Sequence, residues 1–282
     1  MDLVESDHDR EAVITNAWRT YLTTGRLPKG MHLTWFEAPF LRRMARLLPR
    51  DPRCRICSYP FEGIGGQLVR FFLGLKRSRL NPQMCNVCER FARKLPGGTE
   101  LDTSLLFADV RGSTGLAEGM RAQEFSQLID RFYRASMRVL FQHGALVEKL
   151  IGDEVTAFFV PAFAGKIHAR AAVAAGRGIL RATGHQNEHG PWIPVGIGIH
   201  TGTAYIGTVG EHGEVEDIAV LGDNVNVASR LAGLAGAGEL LISEETRLAA
   251  ELDTTGMESR RLSLKGKEQP IDAWAITAQS QL

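Results

Sequence analysis

Two aspartates, Asp109 and Asp153, stand in settings that suit metal-ion chemistry. Asp109 ends the apolar run Ser104-Leu-Leu-Phe-Ala, and Asp153 follows Lys149-Leu-Ile-Gly about forty residues later. Both runs predict buried strands, so both carboxylates should lie at strand ends. If the strands are neighbours, the carboxylates converge on a pair of hard cations, and Mg²⁺ or Mn²⁺ prefers such oxygen ligands. The alternative is that Asp109 caps a helix and Asp153 supports a turn.

The segment after Asp109 has the composition of a phosphate-binding loop. Gly112 allows the backbone to come close to a ligand, and a helix is predicted to begin near Thr114. The amides of Gly112, Ser113 and Thr114 then lie at a helix start, where unpaired N–H groups and the helix dipole attract an anion. We therefore predict that these three residues contact a polyphosphate.

A second polar pair follows two further predicted strands. Segments 195–202 and 204–210 have strand character and are expected to be consecutive strands, and the helix predicted after them carries Asn226 and Arg230. These two residues are four positions apart, which places both side chains on one helix face. An amide and a guanidinium can then address one substrate. The alternative is a solvated polar helix face.

Taken in order, the three segments resemble the catalytic domain of class III nucleotidyl cyclases, the adenylate and guanylate cyclases. The resemblance covers about residues 100–280. It implies a signalling enzyme that converts ATP into 3′,5′-cyclic AMP and pyrophosphate, with two Mg²⁺ or Mn²⁺ ions per active site. By motif position, it implies that Asp109 and Asp153 bind metal, that Lys149 selects the base, and that Asn226 and Arg230 contact the ribose and the transition state.

The resemblance also implies a homodimer in which each active site is shared. Asp109 and Asp153 would come from one subunit, and Lys149, Asn226 and Arg230 from the other. A single subunit should then be inactive.

The choice of nucleotide base depends on Lys149 and on one further position. A lysine only donates hydrogen bonds, so it suits the N1 acceptor of adenine better than the N1–H donor of guanine. The second base-selecting position of the family falls on Ala219, which has no acceptor, and Asp217 is expected to face the same side of the strand and substitute for it. ATP is therefore the predicted substrate, and a guanylate or other nucleotidyl cyclase is the alternative.

Two departures from the family pattern leave other interpretations open. An arginine common in the family is replaced by Glu211-His212, and Lys265 is a candidate to supply part of the phosphate contact. A degenerate cyclase that binds nucleotide without turnover would tolerate these changes. A diguanylate cyclase is a further alternative, because its loop resembles Ile151-Gly-Asp-Glu-Val, but Asn226 and Arg230 argue against it.

The four cysteines predict a second metal site. They form two CxxC pairs separated by 27 residues. This spacing is typical of structural zinc bound by four thiolates, with an iron–sulfur cluster as the first alternative and two disulfides as the last. The four residues are Cys54, Cys57, Cys85 and Cys88.

Positive charge is concentrated around these cysteines. Residues 42–94 contain thirteen Lys or Arg and three Asp or Glu, a net charge of +10, so the rest of the chain carries −9 within the total of +1. A basic module can bind nucleic acid or an anionic membrane surface. We expect instead that it docks on its own acidic catalytic domain, so no nucleic acid or membrane partner is expected, although an anionic partner remains possible.

The chain is predicted to have three parts. Residues 1–95 form a helical region with the metal module at 54–88, residues 96–102 form a linker, and residues 103–282 form the catalytic domain. The resemblance implies an α+β fold, the ferredoxin-like palm of βααββαβ type, with the helices near 123–142 and 165–183 over one face of its sheet. The helices predicted are Glu11–Thr23 and Leu33–Leu48, with Trp18, Tyr21, Trp35 and Phe36 as packing anchors, then 85–94, 123–142 and 165–183. No signal peptide or membrane span is evident, so a cytoplasmic protein is expected.

Overall fold

The computed structural model describes residues 7–25, 53–54, 59–78, 81, 84–94, 97–209, 217–264 and 269–280. The chain divides into two compact units. The first unit is Met1–Leu101 with Tyr205–Val220, and the second unit is Asp102–Ala204 with Leu221–Leu282. The predicted helix Leu33–Leu48, with Trp35 and Phe36, lies outside the described residues.

Helices and strands alternate along the second half of the chain. The described helices are α1 (Asp7–Thr24), α2 (Gly63–Leu73), α3 (Asn86–Lys94), α4 (Ser113–Glu118), α5 (Ala122–Gln142), α6 (Pro161–Ala164), α7 (His168–Ala182), α8 (Asp223–Leu234) and α9 (Glu244–Ala249). The strands are β1 (Gly98–Val110), β2 (Leu146–Ile151), β3 (Glu154–Phe159), β4 (Val195–Val209), β5 (Asp217–Leu221), β6 (Glu239–Ser243), β7 (Glu258–Leu262) and β8 (Ile271–Thr277). Within the described residues, no helix is both long enough and apolar enough to cross a lipid bilayer.

The first unit is built on α1 and the start of β1. Trp18 and Tyr21 are buried, as predicted for packing anchors, and the Tyr21 hydroxyl donates to the sulfur of Met84 at 3.4 Å. β1 begins at Gly98, so part of the segment predicted as a linker is already strand. Gly98 permits close packing there, because a Cβ at this position would lie 2.5 Å from the carbonyl oxygen of Ile206.

The strands form one mixed sheet in the order β2-β3-β1-β4-β6-β8-β7, and β5 pairs with β4. β1 and β3 are antiparallel, with Leu105 opposite Phe158 and Asp109 opposite Glu154. β4 and β6 are parallel, with Ile199 opposite Ile242. The α+β palm predicted from the sequence is confirmed, and its register brings the end of β1 beside the β2–β3 turn.

Helices pack on both faces of the central strands. A Cβ at Gly176 of α7 would lie 3.3 Å from the Cδ1 of Ile199. On the neighbouring residue of β4, a Cβ at Gly198 would lie 2.1 Å from the amide nitrogen of Ala232 and 2.4 Å from the carbonyl oxygen of Ala228, both in α8. Successive strand residues point to opposite faces, so α7 and α8 lie on opposite sides of β4.

The expectation of two consecutive strands over 195–210 was wrong, because β4 is one continuous strand. Glycine in the middle of an apolar run suggests a turn, but Gly202 has a different reason to be small. A Cβ at Gly202 would lie 2.7 Å from the side-chain nitrogen of Asn224. This glycine therefore makes room for a side chain of α8 while the strand continues.

Gly198→Ala should destabilise the protein by about 3 kcal/mol, because the added methyl meets backbone atoms of α8 that cannot move independently. Equilibrium denaturation in urea measures this change. Gly233→Ala is the matched control, since Gly233 lies in α8 itself and no atom lies within 4 Å of a Cβ placed there. The control should stabilise by up to about 1 kcal/mol through helix propensity. Equal effects of the two substitutions would contradict close packing of α8 on β4.

Candidate active site

The structure brings Asp109 and Asp153 together. Asp109 lies near the end of β1, and Asp153 lies in the turn between β2 and β3. The amide of Val110 donates to the carbonyl oxygen of Asp153 at 3.2 Å, and the carboxyl group of Asp153 is close enough to Asp109 to raise its pKa. Two strand-end carboxylates predicted from separate motifs thus form one acidic site.

A third carboxylate, Glu154, joins this pair. It stands directly opposite Asp109 across β1 and β3. Burial raises the pKa of Asp109, and the neighbouring charge of Asp153 raises it further. Burial likewise raises the pKa of Glu154, followed by the charges of Asp109 and Asp153. Clustered carboxylates that repel one another offer hard oxygen ligands whose charge a divalent cation would neutralise, so the residues present fit Mg²⁺ or Mn²⁺.

Arg111 is the cationic partner of this acidic site. Its guanidinium forms an ion pair with Asp109 and donates to the carbonyl oxygen of Gly233 at 3.2 Å, at the end of α8. Its amide donates to the carbonyl oxygen of Pro194 at 2.9 Å. The positive charge lowers the pKa of Asp109, against the larger effect of burial. Arg111 therefore ties the acidic site to α8.

The turn that carries Asp153 is held from α5. The Tyr133 hydroxyl donates to the carbonyl oxygen of Gly152 at 2.7 Å. Gly152 has φ +60°, a left-handed conformation that favours glycine. The carboxylate of Asp153 also raises the pKa of Tyr133, after burial, which places phenol and carboxylate close together.

The predicted phosphate loop follows the acidic site directly. Gly112 has φ +67° and precedes α4, which begins at Ser113 rather than Thr114. Gly112 and Thr114 are exposed, and no atom lies within 4 Å of a Cβ placed on Gly112. The backbone of this loop is thus open to a ligand beside Asp109.

α8 carries the second predicted pair. Asn226 is exposed on this helix, and Arg230 is half-buried one turn later. The Nη1 atom of Arg230 is buried and has no hydrogen-bond partner within the described part of the chain. Buried donors without a partner are rare in proteins, and a bound ligand or ion is one explanation for such a group.

A buried polar network fixes the start of α8 against the sheet. His200 lies on β4, and its Nε2 bonds the Oδ1 of Asn224 at 2.8 Å while its Nδ1 bonds the hydroxyl of Ser243 at 2.8 Å. The Nδ2 of Asn224 donates to the carbonyl oxygen of Thr203 at 2.7 Å, which turns the Oδ1 toward His200. Because the Oδ1 of Asn224 can only accept, His200 Nε2 carries a proton. The chain of contacts continues through Thr246, Thr201, Ser104 and His168.

His200→Ala should lower the free energy of unfolding by about 2–3 kcal/mol, because it removes a buried imidazole and takes one hydrogen-bond partner from each of Asn224 and Ser243. Thermal or urea unfolding measures the loss. His189→Ala is the control, since His189 is exposed and should change stability by less than about 0.5 kcal/mol. A loss no greater than that of the control would mean that the network does not hold α8.

The remaining predicted residues are not joined to the acidic site. Lys149 lies on β2 with 44% of its side chain exposed, and its Nζ is 3.9 Å from the Oε1 of Glu148. Ala219 is buried in β5, and Asp217 begins that strand. Among the described residues, no hydrogen bond or ion pair connects Lys149, Asn226 or Arg230 with Asp109 or Asp153. Lys265, Glu211 and His212 lie outside the described residues.

The predicted cysteine site is partly described. Cys54, Cys85 and Cys88 are buried, and their sulfur atoms all lie within 4.8 Å of one another. Cys57 lies outside the described residues.

Sequence reasoning missed Glu154, Arg111, Tyr133, His200 and Asn224. The signal that could have found Arg111 is its place in the sequence, two residues after Asp109. The contacts of the other four residues depend on pairings between distant segments, which the sequence pattern does not specify.

Comparison with known proteins places this site in a family. Residues 99–278 match the adenylate and guanylate cyclase catalytic domain. An adenylate cyclase of Anabaena cylindrica is 29% identical over 186 residues, which cover 62% of this chain and 36% of that protein. The chain thus spans about a third of the length of this curated relative.

Two solved structures share the fold of the matched region. The guanylyl cyclase Cya2 superposes with a TM-score of 0.58 at 26% identity, covering 64% of this chain and 93% of that one. The adenylyl cyclase CyaB from P. aeruginosa superposes with a TM-score of 0.56 at 26% identity, covering 65% of this chain and 97% of that one. The match over residues 99–278, together with the acidic site at the ends of its strands, shows that the chain belongs to the adenylate and guanylate cyclase catalytic-domain family.

Proposed function

We propose that this protein converts ATP into 3′,5′-cyclic AMP and pyrophosphate. The observation that carries the proposal is the convergence of Asp109 and Asp153 at the ends of paired strands, in a chain that belongs to the cyclase family. The reaction needs the ribose 3′-hydroxyl to attack the α-phosphorus while pyrophosphate leaves.

Asp109 and Asp153 would hold two Mg²⁺ or Mn²⁺ ions, and Glu154 adds negative charge beside them. When bound, such ions lower the pKa of an attacking hydroxyl and neutralise a leaving phosphate. Arg111 forms an ion pair with Asp109 in this structure. This ion pair would have to break for Asp109 to bind a metal ion. The amides of Gly112, Ser113 and Thr114 bind phosphate oxygens at the start of α4.

Arg230 stabilises the negative charge that develops on the α-phosphoryl oxygens, and Asn226 orients the ribose. The buried, unpartnered Nη1 of Arg230 supports this role, because desolvated donors aimed at developing charge contribute strongly to phosphoryl transfer. Asn226 lies on the same helix, one turn earlier.

We propose a homodimer with shared sites, in which Lys149, Asn226 and Arg230 act on the metal site of the partner. Their lack of described contacts with Asp109 and Asp153 in one chain supports this arrangement. Cyclase catalytic domains generally act as dimers.

The proposed substrate is ATP, because Lys149 offers only donors to the base. Lys149→Glu should lower kcat/KM for ATP by at least about a hundredfold and narrow the difference between ATP and GTP, since a carboxylate accepts from guanine N1–H. Steady-state kinetics with both nucleotides measures this change. Lys166→Glu makes the same charge change at an exposed position and should leave the ratio unaltered. If Lys149→Glu also left the ratio of kcat/KM for ATP to kcat/KM for GTP unchanged, Lys149 would have no part in base selection.

The test of the proposed function is to incubate the full chain with ATP or GTP, in Mg²⁺ or Mn²⁺, and to identify products by chromatography and mass. Cyclic AMP as the main product supports the proposal. Cyclic GMP as the main product would instead identify a guanylate cyclase that tolerates Lys149. Nucleotide binding without any cyclic product would mean a degenerate signalling module.

A further inference from the structure

We propose that Cys54, Cys85 and Cys88 bind a zinc ion that fastens the first unit together. The three sulfur atoms come from two segments 31 residues apart and meet in a buried cluster. A tetrahedral zinc ion with Zn–S bonds of about 2.3 Å separates its sulfur ligands by about 3.8 Å. The observed spacing, within 4.8 Å for every pair, matches ligands around one ion.

Backbone amides point at these sulfur atoms. The amide of Cys85 donates to the Sγ of Cys54 at 3.2 Å, and the amide of Cys88 donates to the Sγ of Cys85 at 3.3 Å. A neutral thiol is a weak acceptor, whereas a thiolate accepts strongly and is the form that binds metal. Two amides directed at two sulfurs therefore favour the metal-binding state.

Backbone pairings hold the residues next to the cysteines in place. Arg53 bridges Pro60, and the amide of Cys54 donates to the carbonyl oxygen of Tyr59 at 2.9 Å, so the backbone at Cys54 is paired with residues 59–60. Arg77 bridges Cys85 in the same way, and Cys88 then lies in the first turn of α3.

A single zinc ion explains the cluster better than the alternatives. No disulfide joins any two of Cys54, Cys85 and Cys88. An iron–sulfur cluster contains several metal atoms, so its cysteines must stand further apart than ligands of one ion. The basic residues around the site, such as Arg53 and Arg77, offset the negative charge of zinc thiolates.

Metal analysis of the full chain, purified without chelators, tests this proposal. We expect about one zinc per chain, and at least a tenfold lower content in Cys85→Ser and Cys88→Ser. His189→Ala, which changes an exposed candidate ligand, should keep the zinc. Because a variant that fails to fold would also lose metal, replacement of zinc by Co²⁺ in the wild-type chain gives a second readout. Intense thiolate-to-cobalt absorption is expected.

A chain without stoichiometric metal, or one whose visible spectrum shows an iron–sulfur cluster, would overturn the zinc assignment. So would a cobalt spectrum without thiolate bands. These outcomes do not depend on cyclase activity, so they leave the proposed function untouched.

A separate observation carries a second inference, which concerns the outer face of α2. Four large apolar side chains on this helix are exposed: Ile64 by 75%, Leu68 by 46%, Phe71 by 83% and Phe72 by 72%. Their spacing places them on one side of the helix. The rings of Phe71 and Phe72 contact edge to face, with centroids 5.1 Å apart. Such a cluster on one face is characteristic of an interaction surface.

We infer that this face binds an anionic membrane surface. Basic side chains flank it, with Arg70 on α2 and Lys76 and Arg77 just after it, all exposed. Aromatic residues beside lysine and arginine suit the boundary between acidic headgroups and acyl chains. A second copy of the chain on the same face would bring these like charges together across a two-fold axis. Composition alone led us to expect no membrane partner, and the exposure of the two phenylalanines changes that expectation.

Sedimentation of the full chain with vesicles tests this inference. We expect binding to vesicles with about 30% phosphatidylserine, weaker binding in high salt, and little binding to pure phosphatidylcholine. The double variant Phe71→Ser/Phe72→Ser should reduce binding at least tenfold. Val13→Ser, which removes an exposed apolar side chain from α1, is the control and should bind as the wild type does.

Equal vesicle binding by the double variant would overturn the inference. If the double variant instead changed only the molar mass measured by light scattering, the face would be a contact between copies of the chain, which also overturns it.

Discussion

Asp153→Asn is expected to lower kcat for cyclic AMP formation by at least about a thousandfold, while the metal-free protein becomes more stable. Activity falls because an amide oxygen is a weaker ligand than a carboxylate for the ions that activate the attacking hydroxyl. Stability rises because Asp153 repels two half-buried carboxylates, Asp109 and Glu154. The gain should be on the order of 0.5–1 kcal/mol, as for like charges on neighbouring strands.

The pH dependence of stability gives the same prediction an independent readout. The pKa values of Asp109 and Glu154 are raised in the folded protein, mainly by burial, so the folded state holds protons more tightly than the unfolded state. Stability contributed by these groups is therefore lost as pH rises from their ordinary values of 3.8 and 4.5 through the raised ones. The loss should be smaller in Asp153→Asn, because one cause of both shifts is gone.

Urea denaturation at acidic and neutral pH, with and without Mg²⁺, measures the changes in stability. Cyclic AMP formation by the same variants is assayed in parallel. Mg²⁺ should stabilise the wild type at neutral pH and stabilise Asp153→Asn much less. Glu154→Gln is the informative comparison, because it relieves the same repulsion without removing a proposed metal ligand. It should stabilise the metal-free protein and raise the Mg²⁺ concentration needed for activity, with turnover retained. Full turnover in Asp153→Asn would refute the metal site.

The parts of this site that could be predicted from sequence are those set by local pattern. Apolar runs ending in Asp109 and after Asp153 predicted strand ends, and the four-residue spacing of Asn226 and Arg230 predicted one helix face. Both features depend only on the regular periods of strands and helices. The sequence therefore indicates which polar groups lie at strand ends and on one helix face, without any tertiary contact.

The parts that could not be predicted depend on pairing between distant segments. Glu154 faces Asp109 only because β1 and β3 pair in one particular register. His200 holds Asn224 because α8 lies against β4, and Gly202 is small for the same reason. A glycine that makes room for a neighbour cannot be told from a glycine that makes a turn until the fold is known.

The exposed apolar face of α2 shows a second limit of prediction from sequence. Apolar residues repeated at helical spacing ordinarily predict a buried face, since most amphipathic helices pack on a core. On α2 the buried large side chain is Val69, and the two phenylalanines point outward. Sequence periodicity identifies an apolar face, but it does not say whether protein covers that face.

Complementation between two inactive variants has the largest expected gain of activity. Asp109→Ala lacks a proposed metal ligand, and Arg230→Ala lacks the proposed transition-state contact, so each homodimer should be inactive. In a mixed dimer with shared sites, one site carries both substitutions and the other carries neither. Each heterodimer should therefore show about half of the wild-type activity, and a randomly exchanged mixture about a quarter.

The control for complementation is the mixture of Asp109→Ala with Asp153→Ala. Both substitutions fall in the same half of the proposed site, so every site in a mixed dimer still lacks one carboxylate and no activity should return. Heterodimers isolated through two different affinity tags, and assayed for cyclic AMP, make the comparison quantitative. Rescue in the first pair alone requires that Asp109 and Arg230 of different subunits meet at one substrate. Failure of rescue in demonstrated heterodimers would mean that each chain builds its site alone, and Arg230 would then have to reach Asp109 within a single subunit.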